Sequence, residues 1–216
     1  NAVTPPTYPL SSDKSKRSLF TLVACLGSII FIIGCNLVVE LLDRTLRDAE
    51  RTQRLTGTSV LGAFTGNTQL KYRGYIKACN RISAAYACNR MNQYLHPEKT
   101  TYINLLSIES REGKSFVADY LIDNWQDQGL KVRHLKIGED LPNDCSFLLT
   151  SGYDALLSKE EERPDILLLE LPAVQNNSLP ASLLRQADVN LLIANACRSW
   201  KQSDQTFLNH LKEMGR

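Results

Sequence analysis

The residues with the clearest chemical potential are Gly113, Lys114 and Ser115, within the run I-N-L-L-S-I-E-S-R-E-G-K-S-F over 103–116. A lysine followed by a hydroxyl residue, directly behind a glycine, is the ending of the phosphate-loop pattern G-x-x-x-x-G-K-[ST]. There the ammonium reaches the β- and γ-phosphates and the hydroxyl sits on Mg²⁺. The position of the pattern's first glycine is held by Ile108. The triplet occurs often by chance, so its meaning depends on what flanks it. An apolar strand, Ile103 to Leu106, precedes it, and a helical pattern opens at Phe116-Val117-Ala118. A helix start offers unpaired N–H groups and a positive dipole end, which is the chemistry an anion needs.

A second candidate is Glu170, at the end of the run D-I-L-L-L-E-L-P over 165–172. Four apolar residues closed by an acid read as a buried parallel strand that carries a carboxylate at its C-terminal tip. In such sheets ligands bind at the C-terminal ends of the strands.

The elements that position these residues follow from periodicity. The phosphate-loop helix is expected to run from Lys114 to Gln128, with Gly129 as its C-cap. Leu130 to Ile137 alternates like a strand near a sheet edge. Asp144 to Ser158 and Leu183 to Ala187 read as helices, Val189 to Ala194 as another buried strand, and Gln202 to Met214 as a final helix. Tyr72 to Leu95 reads as a helix with Tyr75, Ile76, Cys79, Ile82, Ala85, Tyr86, Cys88 and Met91 on its apolar face. Strands and helices alternate after residue 100, so the expected fold is α/β, a parallel sheet with helices on both faces.

In front of this domain the chain is of a different kind. Residues 1–18 are polar, with Pro5, Pro6 and Pro9, and read as an extended connector. Residues 19–42 are dominated by apolar side chains with Glu40 as the only charge, and these 24 residues exceed the roughly 20 that span a bilayer. A signal peptide would have a shorter apolar region and a small-residue cleavage site; here the run passes straight into D-R-T-L-R-D-A-E-R, so a transmembrane helix is expected. Lys14, Lys16 and Arg17 on one side face Arg44, Arg47, Arg51 and Arg54 on the other, and this hardly decides orientation. A nucleotide loop needs cytosolic ATP, which places the C-terminal part inside. The charged helix is expected to continue from Asp43 until Thr56-Gly57 stops it, with Ser59 to Phe64 a strand or a docking segment. The domain plan is a connector (1–18), a transmembrane helix (19–42), a juxtamembrane helix and linker (43–70) and a phosphate-loop domain (71–216).

Composition adds exclusions. With 25 Lys and Arg against 23 Asp and Glu, there is no basic footprint for a nucleic acid. The six cysteines form no C-x-x-C pair, which favours free thiols over a zinc or disulfide framework.

The order of these features resembles the C-terminal half of bacterial polysaccharide co-polymerases, the chain-length determinant proteins of capsule and exopolysaccharide export, fused to a cytoplasmic bacterial tyrosine kinase (BY-kinase) domain. The resemblance is carried by Pro5-Pro6-x-x-Pro9 before the apolar helix, Arg54-Leu55-Thr56-Gly57 and Val60-Leu61-Gly62 after it, the G-K-S loop, Glu170-Leu-Pro172, and Ala187-Asp188-Val189-Asn190-Leu191-Leu192-Ile193. It implies an inner-membrane protein with a cytoplasmic C-terminal domain, working as a homo-oligomer with other polysaccharide export and polymerase proteins. It also implies ATP and Mg²⁺ as cofactors where the site is functional, with Gly113, Lys114, Ser115 and Arg111 on the nucleotide, Ser115 and Glu170 on the metal, and Glu170 catalytic.

Several of the family's motifs are altered here. The family's P-G-x-G-K-[ST] corresponds to Ser110, Arg111, Glu112, Gly113, Lys114 and Ser115, so Arg111 replaces a glycine suited to positive φ. The D-x-D that closes the second strand corresponds to Lys136-Ile137-Gly138, and a lysine neither ligates Mg²⁺ nor accepts a proton from tyrosine at neutral pH. The Asp of the third motif is Glu170, one methylene longer. The oligomerising E-x-x-R-x-x-R corresponds to Ser83, Tyr86 and Asn89. The expectation is therefore a kinase-like domain that has lost phosphotransfer and serves assembly or regulation. The alternatives are an active tyrosine autokinase and a partitioning-type ATPase.

Overall fold

A computed structural model describes residues 15–66, 72–136, 152–153 and 163–215. It divides into two units, residues 1–43 and 44–216. The described part of the first unit is essentially one helix, α1 (Arg17–Leu42), with no buried residue. Its 18-residue window of mean hydropathy 2.6 makes it long and apolar enough to cross a membrane. The few polar side chains within it turn inward to the backbone: the Thr21 hydroxyl donates to Arg17 O at 2.9 Å and Asn36 Nδ2 to Ile32 O at 2.8 Å. Such back-bonding leaves fewer donors for a lipid environment to strand.

The second unit is the α/β domain. Its described elements are α2 (Ala49–Thr56), α3 (Arg73–Met91), β1 (Thr101–Leu106), α4 (Lys114–Asp127), β2 (Val132–Lys136), β3 (Ile166–Glu170), α5 (Ala181–Gln186), β4 (Val189–Leu192) and α6 (Gln202–Met214). The four strands pair in parallel in the order β2-β3-β1-β4. Because successive side chains on a strand point to opposite faces, β3 feeds two separate cores. Ile166 and Leu168 pack with Val117, Leu121 and Trp125 of α4 and Ala84, Cys88 and Met91 of α3. Leu167 and Leu169 pack on the other face with Leu183 and Leu184 of α5 and Leu211 of α6. The run L-L-L is apolar throughout because both faces of this central strand are covered.

Three expectations change. The charged helix does not run on from Asp43: the chain is extended at Asp43 (ψ 115°) and helical again only from Ala49. Asp48 starts α2 by accepting from Arg51 N at 3.1 Å, and Gly57, in the left-handed region at φ 63°, ends it. In the segment between α1 and α2, Thr45 bridges Ser199, and Trp200 N donates to Arg44 O at 2.8 Å. Of the two readings of Ser59 to Phe64, the docking segment is the one found: Leu61 and Phe64 pack against the α3/α4 core. On α3 the packed face is the small one, Asn80, Ala84, Ala87, Cys88 and Met91, while Tyr75 (74% exposed), Ile82 (71%) and Tyr86 (58%) lie outside. Alanines let α3 approach α4 closely, and bulky side chains on that face would hold the helices apart. Finally β4, at a sheet edge, is half-buried rather than buried. The helix expected at 144–158, and Gly138, Glu139 and Asp140, lie outside the described residues apart from 152–153.

Candidate phosphate-binding site

The site grows from the C-terminal ends of β1 and β3, which are hydrogen-bonded neighbours in register, Leu105 beside Glu170. Beyond β1 the chain turns through 107–113 and enters α4, whose N-cap is Gly113 at φ 92°, with no side chain capping the helix. The first N–H groups of α4 are therefore left to face the cleft. Glycine is required at Gly113 because an L-residue there would be strained, although a Cβ would meet nothing within 4 Å. Arg111 takes a left-handed conformation itself, φ 62°, the only non-glycine with positive φ among the described residues. At Arg111, where the resemblance would put a glycine, the left-handed backbone costs about 1–2 kcal/mol of strain.

The residues predicted from sequence come together. Arg111, Gly113, Lys114, Ser115 and Glu170 line one cleft of about 330 Å³, with Glu112 and Phe116 completing its wall. The Ser115 hydroxyl lies 3.0 Å from Glu170 Oε1 and 2.9 Å from Oε2, donating to that carboxylate. Lys114 Nζ donates to Ser107 Oγ at 2.7 Å. Burial lowers the Lys114 pKa, opposed by the carboxylates of Glu170 and Glu112. Burial alone would raise that of Glu170; the His134 imidazole, the Ser115 hydroxyl and Lys114 outweigh it and hold the carboxyl below its usual value. A hydroxyl beside an ionised carboxylate, both at the foot of an uncapped helix start, fits a divalent cation carried by a phosphate chain.

Two further groups were not visible in the sequence. Glu112 is buried, and its Oε2 accepts from the backbone N–H of Ile108 at 2.9 Å and of Glu109 at 3.1 Å. The loop is thus braced from behind by its own carboxylate. That carboxylate is held in turn by Arg198, whose Nε donates to Glu112 Oε1 at 3.1 Å and whose Nη1 reaches Glu109 at 3.1 Å and Asp204 at 2.8 Å. Ile108 itself packs with Leu46, Trp200 and Leu208. His134 is the second: it lies on β2, 3.6 Å from Glu170 Oε2, with Nε2 buried and without a hydrogen-bond partner. Lys136 closes β2 in register with Glu170.

The comparisons bear on the fold. No protein-family model matches the chain, and no curated protein matches it. Among solved structures it is similar to the kinase domain of the Escherichia coli tyrosine kinase ETK, with a TM-score of 0.62 at 13% identity, over 79% of this chain and 90% of that one. At that identity the likeness is one of fold: the chain shares the α/β fold of that kinase domain.

Proposed function

We propose that the chain is a membrane-anchored subunit of polysaccharide chain-length control and export, whose BY-kinase-like domain takes up a nucleotide's phosphates but has lost phosphotransfer. The observation that carries phosphate uptake is the convergence of Lys114, Ser115 and Glu170 on one cleft at the strand tips. What speaks against transfer is Lys136, a lysine in register with Glu170 on the neighbouring strand, where the resemblance leads one to expect an acid. An acid there would hold metal and draw the proton from a tyrosine hydroxyl; an ammonium does neither. The polysaccharide assignment is supported by the proline-bearing segment, the R-L-T-G and V-L-G motifs and the apolar helix ahead of the domain.

In this reading the protein's groups bind and orient. The Lys114 ammonium neutralises phosphate oxygens, the first N–H groups of α4 donate to the anion, and Ser115 with Glu170 holds the cation that accompanies it. The same geometry supports a second reading, an active tyrosine kinase, because Lys114, Ser115 and Glu170 line one cleft. Incubation of the purified chain with Mg·ATP separates the two. The first reading expects bound ATP and no phosphotyrosine. Phosphotyrosine that disappears in Lys114→Ala would establish the second.

A further inference from the structure

His134 has a place in the site that the phosphate loop does not explain. Its side chain is 15% exposed, and Nε2 is buried with no hydrogen bond, although an imidazole nitrogen taken out of water is normally satisfied. At 3.6 Å, Glu170 Oε2 is too far for a hydrogen bond but at a suitable separation for two ligands of one ion. Ligands about 2.1 Å from a shared cation stand about 3.0 Å apart along an octahedral edge and about 3.4 Å along a tetrahedral one. His134 to Glu170, at 3.6 Å, is close to the tetrahedral edge, and the Ser115 hydroxyl, hydrogen-bonded to the same carboxylate at 2.9 and 3.0 Å, lies beside it. Register explains why they meet. His134 pairs with Leu168, two residues before Glu170 on the same face of β3, the face covered by α4 with Ser115 in its first turn.

We propose that His134 Nε2, Glu170 and the Ser115 hydroxyl form one divalent-cation site, and that the imidazole turns its preference from Mg²⁺ toward Mn²⁺, Co²⁺ or Zn²⁺. Mg²⁺ favours oxygen ligands in a strict octahedron, whereas imidazole suits the later first-row cations. Among the described residues no third His, Cys, Asp or Glu joins the pair, so water or phosphate oxygen fills the remaining positions. The inference rests on the phosphate-site reading only in sharing Ser115 and Glu170.

The test uses the full chain in detergent micelles without nucleotide. Co²⁺ is titrated by calorimetry and followed by its visible absorption, and Mn²⁺ is examined by pulsed electron paramagnetic resonance for coupling to nitrogen. One Co²⁺ is expected per chain, weakened at least about tenfold in His134→Gln, with Mg²⁺ affinity changed less than about twofold. His96→Gln, which alters the separate His96–Asp188 pair, is expected to leave the cobalt spectrum unchanged. Cobalt binding that is absent, unaffected by His134→Gln or lost in His96→Gln overturns the proposal. Nitrogen coupling on Mn²⁺ in the unmutated chain supports it and its absence overturns it, whether or not His134→Gln folds. If ATP fails to bind while Mn²⁺ couples to nitrogen, the phosphate reading falls and this one stands. If ATP binds and no coupling is seen, only this one falls.

Discussion

Replacing Arg198 by methionine tests how the phosphate loop is held. The guanidinium serves Glu112, Asp204 and Glu109, whose side chains are 3%, 4% and 33% exposed. Methionine fills much of the volume but leaves two buried carboxylates without their cation. Removing one partner of a buried ion pair costs about 3–5 kcal/mol. Glu112 keeps two backbone N–H donors and Asp204 keeps the N–H of Lys201 at 2.8 Å, so the lower end applies, about 3 kcal/mol. For a unit of the size of residues 44–216, that is a fall in Tm of about 6–12 °C. Thermal and urea unfolding followed by circular dichroism measure it, and hydrogen exchange at Ile108 and Glu109 localises it. Adding Glu112→Gln removes one stranded charge, so the double variant is expected to recover about 1–2 kcal/mol relative to additivity. A loss below about 1 kcal/mol, or strict additivity, would show that the brace is a surface network with little hold on the loop.

Other expectations are simpler to check. Gly113→Ala meets no steric clash, so its cost is conformational, about 1–2 kcal/mol by urea unfolding, together with weaker phosphate binding; an unchanged midpoint would contradict the φ of 92°. Because the folded state holds the Glu170 carboxyl below its unfolded value, its contribution is fully present above the unfolded pKa of about 4.3 and disappears as pH falls through the folded one. Stability measured between about pH 6 and 3 should therefore fall less steeply in Glu170→Gln than in the unmutated chain. The α1 helix predicts retention in membranes through alkaline carbonate washing and release once residues 1–43 are removed; release of the intact chain would contradict a membrane span.

The sequence was most informative where local pattern and tertiary role coincide. G-K-S between an apolar strand and a helix could be read as a phosphate loop because both flanks are continuous in sequence and their periods differ. Glu170 could be placed at a strand tip because β3 is buried on both faces and therefore unbroken in hydrophobicity. Arg198 and Glu112 could not, since a charged residue in a loop reads as solvated unless its partners are known, and these partners come from a distant segment. The face of α3 is legible only in part, at Cys88 and Met91, for a related reason. Large residues at three- and four-residue spacing suggest a core, but the partner helix selects by size, and the alanines carried too little hydrophobic signal to compete. The break at Asp43 to Asp48 depends on the pairing of Arg44 and Thr45 with Ser199 and Trp200, which no local propensity encodes. His134 looked like one polar member of an alternating strand, and only the register with β3 brings it to Glu170.

The most direct measurement is calorimetric titration of the full chain in detergent with Mg·ATP, alongside Lys114→Ala. Saturable binding of one nucleotide per chain, weakened at least about tenfold in Lys114→Ala, is the predicted result, since that ammonium lines the cleft beside Ser115 and Glu170. Heat no different from dilution, or equal affinity in both proteins, would contradict the claim that Lys114, Ser115 and Glu170 form a phosphate-binding site.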